Sequence, residues 1–212
     1  MRKLTYLSVA AVLALAGCGG SQATDLDGFV GIAARGIHLD CEPLAGPADA
    51  VAKSDLVVTG TLADIREGVR VVYPDPAYTE RRAGSYATYV VRVDSVVSGN
   101  PAGVAGGHVY VAVAKSRSAT IEELAAANPH PRVVVVLSDL GRWDPGRGAT
   151  VQRPSAVPAD APMQNALCDG LWLQDTGAPV MRGVHAQVDD LAPGWEGIRT
   201  VDAYATAIRA AG

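Results

Sequence analysis

The chain has 212 residues, of which 49% are hydrophobic and 19% are charged, and its net charge is −4. This length suits a single domain, and the apolar fraction excludes a disordered polyelectrolyte. Nucleic-acid surfaces need basic patches and aromatic stacking platforms. The net negative charge, an aromatic content of only 5% and just three lysines (Lys3, Lys53 and Lys115) therefore predict no nucleic-acid partner. No cofactor motif is present, and we expect no cofactor.

Residues 1–17 have the form of a secretory signal peptide. Arg2 and Lys3 precede a mostly apolar run from Leu4 to Ala16. At 1.5 Å per residue this run would reach only about 20 Å, whereas the hydrocarbon core of a bilayer is about 30 Å thick. The segment is therefore too short for a permanent transmembrane helix.

The sequence Leu15-Ala16-Gly17-Cys18 resembles the bacterial lipobox at all four positions. The resemblance implies cleavage before Cys18 and a diacylglyceryl group on its thiol, which would anchor the chain at the outer face of the bacterial cell membrane. The alternative is an ordinary secretory peptide with an incidental cysteine. Residues 18–40 are expected to be a lipid-anchored tether, flexible from Gly19 to Asp27 because of its Gly, Ser and Asp content.

If Cys18 carries lipid, Cys41 and Cys168 remain in an oxidising compartment, where we expect them to form a disulfide. Two separately buried thiols are the alternative. A metal site is a weaker hypothesis, because no CxxC or HxxxH spacing accompanies the local cluster of His38, Asp40, Cys41 and Glu42. We therefore assign no metal ligands.

The first predicted elements follow an irregular stretch over residues 28–47. A short helix is expected over 48–53, and the alternation over 55–65 predicts a strand. Gly60 inside that strand indicates a bulge or a sharp bend. Residues 69–73 are expected to extend this strand or to pair with it.

The middle of the chain gives the strongest β patterns. Residues 86–97 and 108–114 both alternate as half-buried strands. Thr120 and Glu123 have the spacing of a capping box, which predicts a helix from there to about Ala127. The apolar run within residues 132–138 predicts a strand buried on both faces.

The last third is interrupted by a long predicted loop over residues 139–166, which contains four prolines. Loops of this length are usually functional or disordered. Residues 170–174 and 179–184 are expected to form a hairpin. Residues 200–211 are expected to form a closing helix capped by Thr200.

This order of strands and helices is that of an OB-type barrel. We predict a mainly β domain over residues 41–212, with a five-stranded OB-like closed barrel, a helix between strands 3 and 4, and a C-terminal helix. A β-sandwich is the alternative.

The segments Ala52–Gly60 and Tyr89–Asp94, followed by Ser98-Gly99, resemble netrin-like modules, the OB-type barrels shared with tissue inhibitors of metalloproteinases. The resemblance covers roughly residues 41–140 and rests on the strand pattern. In the inhibitor family a free N-terminal cysteine amine chelates the zinc of the protease. Here the first mature residue would be the lipidated Cys18, so zinc-chelating inhibition is not implied.

Catalytic signatures are absent from the sequence: there is no nucleophile elbow, no zinc-protease motif and no phosphate-binding loop. Ser138 and Asp139 with a distant histidine are a candidate dyad, although such residues more often form turn hydrogen bonds. A cation site is possible only if the loops converge, and a solvated acidic face is the simpler interpretation of Asp139, Asp144, Asp169 and Asp175. We assign no catalytic residue.

The candidate binding loop is the 139–166 segment, because OB-type barrels often present binding loops after the fourth strand. We select Trp143, Asp144 and Arg147 within it, since Trp and Arg are enriched at interface hot spots. The resulting hypothesis is an exported, membrane-anchored lipoprotein that acts as a non-enzymatic binding module for a protein or cell-envelope component. The alternatives are a loop-built cell-envelope hydrolase and a lipoprotein that binds a small ligand or a metal.

Overall fold

The computed structural model describes residues 25–37, 42–78 and 85–212. Its strands are β1 (Leu56–Glu67), β2 (Arg70–Val72), β3 (Ser85–Gly99), β4 (His108–Lys115), β5 (Arg132–Asp139), β6 (Thr150–Gln152), β7 (Met163–Gln174) and β8 (Arg182–Gly183). Its helices are α1 (Leu26–Ala33), α2 (Pro47–Lys53), α3 (Ile121–Ala127) and α4 (Val201–Ala211).

The main sheet closes into a five-stranded barrel. Its order is β4-β3-β1-β5-β7, and β4 then pairs with β7, which joins the two ends. That closing pair is parallel and includes Tyr110 opposite Met163 and Ala112 opposite Asn165, whereas the other strand pairs are antiparallel. β8 extends the sheet beside β7. The predicted OB-like closed barrel, with a helix between its third and fourth strands and a C-terminal helix, is confirmed, and the β-sandwich alternative is wrong.

The unbroken apolar run in the sequence of β5 is explained by burial of the strand on both faces. Val133, Val135 and Leu137 point into the barrel, where they pack with residues from all five strands. Val134 and Val136 point outward and pack beneath α2 and α4. All five side chains are fully buried, so the strand is covered on both faces as predicted.

Two helices close one end of the barrel. Thr120 is the N-cap of α3, and its hydroxyl accepts a hydrogen bond from the Glu123 N–H at 3.0 Å, which is one half of the predicted capping box. Leu124 of α3 and Phe29 of α1 are fully buried in the same interior cluster. This end of the barrel is therefore plugged by apolar side chains.

Helix α1 shows that two predictions are partly wrong. The tether predicted over residues 18–40 is helical over residues 26–33, and the irregular stretch predicted from residue 28 is helical as far as residue 33. The helix is capped by Asp25, whose carboxylate accepts a hydrogen bond from the Gly28 N–H at 2.6 Å. Burial of Phe29 against the barrel stabilises a helix that its two glycines would otherwise disfavour.

A second apolar cluster lies outside the barrel, under α2 and α4. Trp172 of β7 and Trp195 are buried there, and Trp195 stacks on Tyr204 of α4 with ring centroids 4.2 Å apart. Thr200 caps α4 by accepting a hydrogen bond from the Ala203 N–H at 3.2 Å, which confirms the predicted closing helix. In the part of the chain that the structure describes, no helix is long and apolar enough to cross a membrane.

β7 is longer than predicted. The sequence placed residues 163–166 in the long loop, but they pair with β5 on one side and β4 on the other. The predicted hairpin is present at its other end, where Trp172 lies opposite Gly183. The pairing of the first residues of β7 therefore closes the barrel.

A substitution at Gly60 tests how closely β1 and β3 pack in the barrel wall. The pairing of β1 with β3 shifts between Thr59 and Gly60, which confirms the predicted bulge. A Cβ atom at Gly60 would overlap the Arg92 carbonyl oxygen and lie 2.9 Å from Val91 Cγ1. We expect Gly60→Ala to lower the free energy of unfolding by about 1–3 kcal/mol in urea titrations.

The matched control is Gly31→Ala on α1, where an added Cβ meets no atom within 4 Å. Alanine favours helix over glycine, so this control should leave stability unchanged or raise it by up to about 1 kcal/mol. Equal stability of Gly60→Ala and the wild type would contradict the closely packed bulge.

Candidate functional site

The predicted binding loop is only partly a loop. After β5 it forms a short 3-10 turn over Leu140–Arg142, then β6, and it ends where β7 begins. β6 pairs with β2, which belongs to the connection between β1 and β3. The expectation that residues 69–73 extend β1 or pair with it is therefore wrong. Instead, the β2–β6 pair joins two loops on one side of the barrel.

Much of this segment covers the barrel wall. Leu140, Val157 and Ala161 are buried in a third apolar cluster against Val90 and Tyr110, whose side chains point outward from β3 and β4. These residues stabilise the loop by burying apolar surface. Of the candidate binding residues, Trp143 packs against this platform.

Two groups of side-chain contacts lie in the loops beside this platform, one between Tyr86 and Trp143 and one among Tyr73, Tyr78 and Arg147. We refer to these five residues together as the loop-junction surface. Tyr86 and Trp143 make an edge contact with centroids 5.6 Å apart, and Tyr73 and Tyr78 make another at 4.7 Å. The guanidinium carbon of Arg147 lies 4.8 Å from the centre of the Tyr78 ring. Edge contacts between rings and cation–π contacts of this kind are attractive and favour fixed positions of the side chains.

The three predicted binding residues have different roles. Trp143 and Arg147 belong to the loop-junction surface, as described above. Asp144 accepts a hydrogen bond from the Gly146 N–H at 2.7 Å and shapes the turn that precedes Arg147. Arg147 itself has a left-handed backbone, with φ of 54°. The turn therefore determines where Arg147 projects its side chain.

A cleft of about 310 Å³ adjoins Tyr86 and Trp143. It forms because β4 and β7 pair only as far as Ala112 and Asn165. Beyond that point His185 lies between them, with Nε2 donating a hydrogen bond to the Ala114 carbonyl at 3.1 Å. Burial lowers the pKa of His185 below its ordinary value of 6.5, and the bond to Ala114 opposes this effect.

The cysteine predictions fall largely outside the described residues. Cys18 and Cys41 lie there, as do His38 and Asp40 of the metal hypothesis. Cys168 borders the cleft and is disulfide-bonded. Its predicted pairing with Cys41 stays a prediction.

One described contact brings the flanks of these two cysteines together. Both carboxylate oxygens of Asp169 accept a hydrogen bond from the Leu44 N–H, at 3.1 and 3.0 Å. Burial raises the pKa of Asp169, while the Leu44 N–H opposes that rise. This hydrogen bond holds residue 44 beside residue 169, which supports the predicted disulfide between positions 41 and 168.

The alternative chemistries find little support among the described residues. No hydrogen bond joins Ser138 to any of the three described histidines. The hydrogen bonds of His108, His130 and His185 go to other groups. No group of three or more His, Cys, Asp or Glu residues is placed to hold a metal ion in the described ranges. Asp139, Asp144 and Asp169 each accept a backbone N–H in a different place, so these carboxylates do not converge.

Sequence reasoning missed the tyrosines of the loop-junction surface and His185. The sequence predicts a strand at Tyr86, and Tyr73 and Tyr78 lie in or near a polar loop. Tyr73 and Tyr78 lie in the β1–β3 connection and Tyr86 lies at the start of β3. The β2–β6 pair joins this connection to the segment that carries Trp143. A correct prediction of that short pair would have identified the surface.

Comparison with known proteins finds no matching family model, no similar curated protein and no similar solved structure.

His185 predicts a pH effect on stability. Because its folded-state pKa is lowered, the unfolded chain binds the proton more readily, and stability should fall as the pH drops below about 6.5. We expect the loss of unfolding free energy between about pH 7 and about pH 5 to be smaller in His185→Gln than in the wild type. Chemical denaturation at both pH values measures this difference.

His108→Gln is the control, because His108 lies at the start of β4 outside this cleft. His108→Gln should lose as much unfolding free energy as the wild type does between the two pH values. An identical pH dependence for His185→Gln and the wild type would exclude the neutral buried imidazole.

Proposed function

We propose that this chain is a lipid-anchored, non-enzymatic binding module at the outer face of a bacterial cell membrane. Its ligand is a protein or another cell-envelope component, and the loop-junction surface makes the contact. The observation that supports this proposal most is the packing of the Trp143–Tyr86 pair on a buried apolar cluster, with the Arg147–Tyr78 pair in the two loops that β2 and β6 join. Aromatic and arginine side chains fixed on a rigid scaffold are typical of binding hot spots.

The anchor rests on the sequence Leu15-Ala16-Gly17-Cys18, which matches the lipobox. Between Cys18 and Leu26, the first residue of α1, eight residue steps reach at most about 29 Å. A lipid on Cys18 would therefore hold the α1 end of the barrel near the bilayer. The loop-junction surface, on the side wall, would stay accessible to a partner in the envelope.

The proposal can be tested on the full-length protein in membranes of a bacterial host. After mild crosslinking, we expect Trp143→Ala to reduce partner recovery by about tenfold or more, since loss of a hot-spot side chain costs 2 kcal/mol or more. Arg147→Gln should reduce recovery less. In the same fractions, mass spectrometry should find a diacylglyceryl group on Cys18.

Arg35→Gln and Val96→Ala are the controls, because both side chains are exposed and neither belongs to the loop-junction surface. Both should retain wild-type recovery, and circular dichroism should show that every variant is folded. Undiminished recovery with Trp143→Ala would contradict the proposal that the loop-junction surface binds the partner. An unmodified Cys18 would remove the anchor.

A further inference from the structure

The cleft beside Tyr86 and Trp143, which we call the β4–β7 cleft, has the size of a small-ligand site. Its volume of about 310 Å³ lies at the lower end of the range of about 300–1,000 Å³ that is typical of ligand pockets. Because a water molecule in the liquid occupies about 30 Å³, the cleft has room for about ten of them, or for one small ring. It lies on the outer wall of the barrel, since Ala112 in its lining also belongs to the third apolar cluster.

Four half-buried side chains that line the cleft carry hydrogen-bonding groups without a partner among the described residues. They are the hydroxyl of Tyr86, the indole N–H of Trp143, the carboxamide of Asn165 and Nδ1 of His185, whose Nε2 is bonded to Ala114. Together these groups include both donors and acceptors. They favour a ligand that has several hydroxyl or amide groups of its own.

The lining also favours a neutral ligand. Among the described residues, no aspartate, glutamate, lysine or arginine lines the cleft. Burial lowers the pKa of His185 and raises the pKa of Tyr86, so neither side chain is charged at neutral pH. A charged ligand group would therefore lose hydration here without gaining an ion-pair partner.

The apolar part of the lining has two shapes. Tyr86 and Trp143 pack against the third apolar cluster with their ring planes inclined at 66° and form two aromatic walls. The negative face of an aromatic ring attracts C–H groups such as those of a sugar ring. Small side chains lie near the carboxamide of Asn165, because Ala112 is its partner in the β4–β7 pair and Ala166 follows it in the lining. Methyl-sized apolar surface beside a carboxamide suits an acetamido group.

A peptide strand inserted between β4 and β7 is the alternative occupant, and the backbone disfavours it. Strand addition needs a regular edge of free N–H and C=O groups. On the β4 side, the Ala114 carbonyl already accepts a hydrogen bond from His185. On the β7 side, the pairing with β5 passes from Ala166 to Leu171, so residues 167–170 form a bulge and not a regular edge.

We propose that the β4–β7 cleft binds a neutral, N-acetylated amino sugar as part of a cell-envelope glycan. The sugar ring packs on Tyr86 and Trp143, and its acetamido group forms hydrogen bonds with the carboxamide of Asn165. This inference rests on the proposed function, because Tyr86 and Trp143 belong to the loop-junction surface. It specifies which chemistry that surface and the adjoining cleft recognise.

Two disaccharides with the same rings and linkage serve as probes: N,N′-diacetylchitobiose carries acetamido groups, and cellobiose carries hydroxyls in their place. In NMR titrations of the full chain at neutral pH, N,N′-diacetylchitobiose should shift the side-chain amide signals of Asn165 and the indole N–H signal of Trp143. Cellobiose at equal concentration should leave the Asn165 signals unchanged. Asn165→Leu should weaken binding of N,N′-diacetylchitobiose by about three- to tenfold, because its hydrogen bonds to the acetamido group are lost.

Gln152→Leu is the matched control, because Gln152 is exposed on β6 outside the cleft. It should bind the acetylated disaccharide as the wild type does. Asn165→Ala removes the same carboxamide and replaces the leucine variant if that variant does not fold. Acetyl-trialanine amide is the peptide probe and should produce no shift.

Four results would each overturn the inference: no shift with N,N′-diacetylchitobiose, equal shifts of the Asn165 signals with both disaccharides, wild-type affinity in the Asn165 variants, or binding of the peptide probe alone. Recovery of a crosslinked partner tests the proposed function separately. If Trp143→Ala reduces that recovery but the disaccharide does not bind, only the sugar inference fails. If the disaccharide binds but recovery is undiminished in Trp143→Ala, the proposed function alone is contradicted.

Discussion

The parallel pairing of β4 with β7 is the constraint on which the rest of the structure depends. It extends over only three residue pairs, from Tyr110 opposite Met163 to Ala112 opposite Asn165. Without it the sheet would have two free edges, and free edges are sites for unwanted pairing with other chains. With it, the apolar side chains of five strands enclose one interior cluster, and α1 and α3 can close one end.

The features available for binding follow from this closure. Because β4 and β7 part after Asn165, a cleft opens beside Tyr86 and Trp143, and His185 occupies part of the gap. The chain must also travel from the end of β5 to the start of β7, and the segment that does so packs on the outer wall of the barrel. A further pocket lies at the end of the barrel opposite α3, between the start of β1 and the start of β7.

The barrel could be predicted because its strands carry strong local signals. Alternating valines in β4 identify the face that points into the barrel. The prediction of a half-buried strand is wrong there, because Tyr110 and Ala112 on the other face are buried beneath the segment that follows β5. The unbroken apolar run in β5 identifies a strand buried on both faces. Gly60 marked its bulge and Thr120 its helix start for equally local reasons. These features depend on neighbours in sequence, so no knowledge of tertiary contacts was needed.

The elements that the sequence did not predict depend on distant contacts. α1 has eight residues and two glycines, and it is helical because Phe29 is buried against the barrel. The first residues of β7 lack a strong pattern and become strand by pairing with two neighbours at once. The loop-junction surface arises in the same way, since the β2–β6 pair joins the loop that carries Tyr78 to the loop that carries Arg147.

Closure of the barrel can be measured directly by native-state hydrogen exchange. The backbone amides that bridge β4 and β7 at residues 110–112 and 163–165 should exchange only with global unfolding, as slowly as those between β1 and β5. Rapid exchange of the bridging amides through local opening, while the β1–β5 amides stay protected, would show an open sheet and contradict the closed barrel.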